Sequence, residues 1–435
     1  MKTLFLRDIN ATEFNKKEKL LYFVLLLFFF SLYAPAVSWL YNVCMYLFFV
    51  ISFFLNSLSD KWRILKQRKE IILIICFFFL NLISTLFSKN LQEGVEMLGI
   101  RVSLVFIPFA IGSIYIRKIL KERLIFAFAF ATSCAAVGIL IFGVWRAAHF
   151  HDLSLLYNDN LSDIINLQSI YFAMMVNLAI FSFMYLVITK TFFNKYIFIP
   201  VLIILFIVHF LLASRIAIII LYSSILVFSA VFIFRKKLII QGLSILVGLI
   251  VGMFLLFNFF PKTINRFKEL TYTKFDFKSM GKESHYNMEL TADQWNGANL
   301  RLAVWQCAWT VIENNMFFGT GLGDKMDELK KQYAVKGFTY GIKSNRNPHN
   351  NYLDVWVSMG LFGFIIFLMG FFILPISNCI KTNDWYGLTI LLCFALSLVS
   401  ESYMDRTMGN TLLSFFIAFV VAYKTPKNKL VSITY

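Results

Sequence analysis

Tyr196-Ile-Phe-Ile-Pro-Val-Leu-Ile-Ile-Leu-Phe-Ile-Val-His-Phe-Leu-Leu-Ala213 runs into Ser214-Arg215 and on to Ile216-Ala-Ile-Ile-Ile-Leu-Tyr-Ser-Ser-Ile-Leu-Val-Phe-Ser-Ala-Val-Phe-Ile-Phe234. These are apolar runs of 18 and 19 residues joined by two polar ones. A helix needs roughly 20 apolar residues to cross the hydrocarbon core of a bilayer. The pair therefore reads as two spans turning back at Ser214-Arg215. The flanking sequence repeats the pattern. Apolar runs bounded by charge or turn residues fall near 20–36, 38–57, 71–88, 99–116, 124–145, 166–188, 196–213, 216–234, 238–259, 351–374, 385–400 and 408–423. The expectation is an all-α polytopic membrane protein with about 12 transmembrane helices and one large outside loop between the ninth and tenth. Pro35 parts the first two runs, and proline sits badly inside a helix, so a helical hairpin is expected there.

Composition agrees. Of 435 residues, 59% are hydrophobic and 15% charged, 51 are Phe, and the mean hydropathy is +0.72. A soluble domain could not bury that much apolar surface. The ten-residue alternating segments of a transmembrane β-barrel do not occur. The net charge of +17 would suit nucleic acid, but its placement argues for topology instead, and no nucleic-acid partner is expected. With twelve spans and both termini cytoplasmic, 23 Lys and Arg fall on the inside. Only Lys89, Arg101, Arg146, Arg215 and Arg406 fall in the short outside loops, which is the bias that orients membrane proteins. The expected partner is then the lipid bilayer. The first run follows a charged stretch without a small-residue cleavage site and reads as a retained anchor.

Three regions follow: helices 1–9 over 1–259, an outside loop with amphipathic helices over 260–350, and helices 10–12 with a short cytoplasmic tail over 351–435. A loop this long signals function or a small folded unit. Within it, Leu300, Val304, Trp305, Ala308, Trp309 and Ile312 recur at helical spacing, suited to the membrane interface or to capping the bundle. Gly319-Thr-Gly-Leu-Gly323 ends that helix and reads as a turn. Asp324 to Lys331 reads as a solvated helix.

Charged residues at the outer helix ends need a partner or a task, because burying charge near a bilayer is costly. Arg215, Arg101, Arg301, His349 and the group Glu401, Asp405, Arg406 all fall at that face. Arginine suits phosphate through its planar fork of donors. Histidine suits proton transfer near neutral pH. His149 and His151 lack a Cys or carboxylate cluster at ligand spacing, so no metal and no cofactor is expected.

Three ordered segments resemble the O-antigen ligase and O-antigen polymerase superfamily of bacterial membrane glycosyltransferases. They are Ala213-Ser-Arg-Ile-Ala217, Asn299-Leu-Arg-Leu-Ala-Val-Trp305 running on to Phe318-Gly-Thr-Gly-Leu-Gly323, and His349-Asn-Asn-Tyr-Leu353 followed by Gly360-Leu-Phe-Gly363. Ser358 departs from the carboxylate that members often carry there; Asp354 lies one turn earlier. The resemblance implies transfer of a glycan from undecaprenyl diphosphate to an acceptor hydroxyl at the periplasmic face. Arg215 and Arg301, with Arg101 as a weaker third, would hold the diphosphate; Asn350 and Glu401 are further substrate-site candidates. His349 would be the general base, oriented by Asn350 or Asp354. In-line attack would invert the anomeric centre. The single late loop and twelve spans favour a ligase acting on lipid A-core, in lipopolysaccharide biosynthesis, over a polymerase extending a carrier-linked glycan. A secondary transporter would carry ionisable residues mid-span and an internal repeat, and neither is evident.

Overall fold

The computed structural model describes residues 14–34, 39–189, 195–230, 233–234, 237, 239–259, 261–281, 283 and 294–423. Within them the regular structure is helical, apart from one isolated β-bridge between Glu283 and Trp295. Five helices are long and apolar enough to cross a membrane: Lys69–Leu86, Leu91–Gly112, Lys118–Phe150, Ser169–Ile188 and Asn351–Thr382. A sixth arises if Leu40–Leu55 and Leu58–Lys66, bent by 103°, count as one. Phe198–Leu211, Arg215–Ala230, Gly242–Leu255, Trp385–Ser397 and Thr407–Ala422 are apolar but shorter.

Each of the twelve expected runs carries helix, and among the described residues five or six of these helices are by themselves long and apolar enough for a crossing. The reason is geometric. Arg215–Ala230, with 16 residues, rises about 24 Å against a core of about 30 Å. Other boundaries differ too. The helix expected over 124–145 extends to 33 residues, Lys118–Phe150. The first helix is Lys16–Ser31, started by an Asn15/Glu18 capping box. Pro35, the basic residues before Phe14 and the tail from residue 424 lie outside the described residues.

Thr407–Ala422 forms the centre of the bundle. From Gly409 to Ala422 every residue is buried. Ser169–Ile188 is nearly as enclosed. Several polar side chains inside bond to backbone carbonyls. Asn410 Nδ2 donates to the Met404 carbonyl at 2.9 Å, and Asn177 Nδ2 to the Ala217 carbonyl at 2.8 Å. At the other end of the bundle the buried Arg68 donates to the Ile114 and Ala422 carbonyls at 2.7 and 2.8 Å. Its cation thereby meets the carbonyl-rich end of the central helix.

The two glycine motifs of the sequence meet in one feature. Helix Asn351–Leu368 breaks at Gly360, where φ is 62° and ψ −170°. A break leaves backbone groups without helical partners, which is costly away from water. Segment 316–321 supplies them. Thr320 and Gly321 N–H donate to the Val357 and Ser358 carbonyls at 2.8 and 3.0 Å; Leu361 N–H donates to the Met316 carbonyl at 2.8 Å. The chains are so close that a Cβ on Gly360 would stand 2.3 Å from the Phe317 oxygen, and one on Gly319 2.5 Å from the Gly360 nitrogen. Gly319–Gly323 is thus a backbone splice into a broken helix.

That splice is testable against a helical glycine in open space. Gly360→Ala is expected to lower unfolding stability by about 3 kcal/mol, from the glycine-only backbone region and the clash. Gly99→Ala, whose Cβ would meet nothing within 4 Å, should change it by about 1 kcal/mol or less, upward. Thermal unfolding in detergent reads both; equal melting of the two variants would contradict the splice.

Candidate active site

The long segment after residue 294 folds back onto the bundle and is fixed there by buried charge. Lys325 opens helix Lys325–Lys336, and its Nζ lies 2.8 and 3.0 Å from the Asp354 carboxylate oxygens and 2.6 Å from Asp405 Oδ1. Arg101 Nη2 lies 3.4 Å from each of the same carboxylates. Its Nη1 donates to Asn81 Oδ1 at 2.5 Å and its Nε to the Met404 carbonyl at 3.3 Å. Two cations and two anions, nearly all fully buried, balance one another. Burial alone would push the Asp405 carboxyl up, but facing Lys325 and Arg101 outweigh it and hold it below the ordinary carboxylate range. The charged helix expected to be solvated therefore begins with a buried lysine.

This cluster sets the loop before helix Asn351–Leu368. Asn347 Nδ2 donates to Asp405 Oδ2 at 3.1 Å, and Asn347 Oδ1 accepts from the His349 N–H at 3.2 Å. His349 is held with φ 44°. Asn350 is the N-cap, its Oδ1 accepting from Tyr352 and Leu353 N–H at 3.0 and 3.2 Å. Asn351 Oδ1 accepts from Met404 N–H at 2.9 Å, and its own N–H donates to the Leu398 carbonyl at 2.8 Å. The loop carrying Glu401 is thereby drawn against the same helix start. His349 Nδ1 lies 3.2 Å from Glu401 Oε2. An ionised carboxylate only accepts, so Nδ1 carries the hydrogen in this pair, and in the neutral ring Nε2 keeps its lone pair.

Beside this pair lies a cavity of about 300 Å³. Ser214, Arg215, Gly297, Arg301, Trp305 and Ser400 are among its lining residues. The two arginines meet at Gly297. Arg301 Nη1 donates to the Gly297 carbonyl at 2.9 Å. A Cβ on Gly297 would stand 2.4 Å from Arg215 Nη2, so the glycine is what lets that guanidinium lie against the backbone. Asn177, bonded to the Ala217 carbonyl, fixes the start of the Arg215 helix. Trp305 joins this cavity to the histidine loop, since its Nε1 donates to the Pro348 carbonyl at 2.7 Å. Ser400, on the cavity wall, directly precedes Glu401.

Of the residues named from sequence, Arg215 and Arg301 come together on one cavity, and His349 and Glu401 form a pair beside it. Glu401 stands where Asn350 or Asp354 was expected to orient the ring. Asn350 is occupied as a helix cap, and Arg101 is enclosed in the ion cluster with Asp354. Sequence reasoning missed Lys325, Asn347, Gly297 and the bridging role of Trp305. Each depends on a contact more than 40 residues away or on a space only the fold creates, except that Lys325 lies 29 residues from Asp354 and carries no local signal.

Residues 200–368 match the family model for O-antigen ligase. That stretch, about two fifths of the chain, contains Arg215, Arg301 and His349 and is similar to the O-antigen ligase superfamily; Arg101 and Glu401 lie outside it. No curated protein matches the chain. The match supports a membrane glycosyltransferase of O-antigen ligase or polymerase type, acting on a lipid-linked glycan and an acceptor.

The ion cluster makes a prediction of its own. Lys325→Met leaves two carboxylates facing one arginine and should cost about 3–5 kcal/mol. Adding Asp405→Asn restores one cation to one anion and should recover more than half of that loss. Unfolding of both variants by chemical denaturant reads this; a double variant weaker than the single would refute the charge balance.

Proposed function

We propose that the chain transfers a glycan from undecaprenyl diphosphate to a hydroxyl of lipid A-core, at the periplasmic face of a bacterial inner membrane. In this reading twelve helices cross the membrane, both termini are cytoplasmic and residues 260–350 lie outside. The observation that carries it is the adjacency of the His349–Glu401 pair to the cavity of Arg215 and Arg301, joined through Trp305 and Ser400.

The donor's anomeric carbon already bears a diphosphate leaving group, so two tasks remain. One is to draw the proton from an alcohol, a poor nucleophile. His349 Nε2 takes it, while Glu401 keeps the other ring nitrogen protonated and steadies the imidazolium that forms. The second is to accommodate the charge released. As the acceptor oxygen bonds to the anomeric carbon, the bond to the phosphate oxygen breaks and its electron pair leaves with the diphosphate. Arg215 and Arg301 present planar forks to that anion. Attack from the face opposite the leaving group inverts the centre. Arg101 acts at a distance: with Lys325 it holds Asp405, which holds Asn347 and hence the His349 loop.

Substitution of His349 tests the reading. Asparagine adopts left-handed backbone readily, so His349→Asn preserves the loop and removes only the imidazole. Both His349→Asn and His349→Ala should lose about 10²–10⁴-fold in transfer while still binding the carrier. Reconstituted transfer from carrier-linked glycan to lipid A-core, with carrier binding measured in parallel, gives the answer. Near-normal transfer by the asparagine variant would remove the base.

A further inference from the structure

The end of the bundle away from the arginines holds a second site. Ser169 and Ile170 line the arginine cavity at the start of helix Ser169–Ile188. Met184 and Ile188, near the end of that helix, line two other cavities. The helix has 20 residues, so the two levels are separated by about 30 Å.

The first of these cavities, about 400 Å³, sets a charged pair and three tyrosines in an otherwise largely apolar wall: Lys121, Asp384, Tyr185, Tyr386 and Tyr423. Lys121 is 1% exposed. Its Nζ lies 3.6 Å from Asp384 Oδ2, 3.4 Å from the ring centre of Tyr423, and 5.3 and 5.6 Å from those of Tyr185 and Tyr386. The chamber thus holds one cation and one anion side by side, walled by aromatic faces. The second cavity, about 680 Å³, is an apolar groove running between helices Lys195–Leu211, Arg215–Ala230 and Ile239–Phe259. Phe198 and Phe210 mark its extent along one helix, a rise of about 18 Å. Gly248 and Gly252 help to keep it open; a Cβ on Gly248 would meet nothing within 4 Å. Met184 and Ile188 line both spaces, so the chamber and the groove adjoin.

A charge-bearing chamber beside an apolar groove has the form of a lipid. We propose that it holds a phospholipid with a zwitterionic, amine-bearing headgroup. The phosphate meets the Lys121 ammonium, which has three donors. The amine meets Asp384 and the tyrosine faces, which attract a cation through the ring quadrupole. A hydrocarbon chain passes Met184 and Ile188 into the groove. Charge complementarity selects the headgroup. The chamber's own charges cancel, so a net anionic lipid would set uncompensated negative charge beside Asp384. The site is independent of the transfer reaction proposed above, because the test reads lipid binding alone.

Native mass spectrometry of the full chain, equilibrated with vesicles of phosphatidylethanolamine or phosphatidylglycerol, tests it. The wild type should retain one phosphatidylethanolamine in preference to phosphatidylglycerol by about tenfold. Asp384→Asn keeps the helix cap, since asparagine caps as well as aspartate, but leaves Lys121 uncompensated. It should reverse the preference toward phosphatidylglycerol. Gly248→Phe should fill the groove and reduce retention of both lipids, whereas Arg215→Ala should change neither. The proposal fails if the wild type prefers phosphatidylglycerol, or if Asp384→Asn leaves the preference as it was. It also fails if retention depends on Arg215 rather than on the groove. Should Gly248→Phe not fold, the headgroup preference of Asp384→Asn decides.

Discussion

Four buried charges tie together one end of this protein. Arg101, Lys325, Asp354 and Asp405 come from four separate stretches of chain, and no one of them could stay buried alone. Burial of a lone ion costs several kcal/mol, so each partner is required by the other three. The consequence is registry. The helix beginning at Lys325, the helix beginning at Asn351 and the loop ending at Asp405 are tied at one point. Asn347 then passes that constraint to His349 through two hydrogen bonds. A site for proton transfer needs a ring held within fractions of an ångström, and a loop alone would not hold it.

The glycines act on the same principle of enforced proximity. Gly319 and Gly360 let one chain enter the break in another, and the hydrogen bonds lost by the helix are regained from segment 316–321. Gly297 does the equivalent for a side chain, admitting the Arg215 guanidinium to the backbone that Arg301 also contacts. In each case the absence of a Cβ is the functional property.

The helical architecture was legible in the sequence because membrane helices announce themselves one at a time. Each run over 196–213 or 216–234 satisfies its backbone internally and displays its apolar length without reference to the rest. The arginines at 215 and 301 and the histidine at 349 were legible because charge at an apolar boundary is conspicuous. What was hidden is pairwise. Lys325 resembles its neighbours, half-buried Lys330 and exposed Lys331, and only the fold sets it against Asp354 and Asp405. Arg101 resembles Arg215 in the sequence, as an outer-face arginine, yet one is locked among carboxylates and the other lines a cavity. The glycine run 319–323 looked like a turn because its partner, Gly360, lies some forty residues on.

Catalysis in this account depends on which nitrogen of His349 carries its hydrogen, and Glu401 decides that. Glu401→Gln keeps the shape of the side chain but can donate as well as accept, so it no longer dictates the tautomer. The direct measurement is the turnover rate of reconstituted Glu401→Gln, set beside its affinity for the carrier-linked glycan. The account predicts a turnover at least about a hundredfold below wild type, with carrier affinity unchanged. Wild-type turnover in that variant would contradict it.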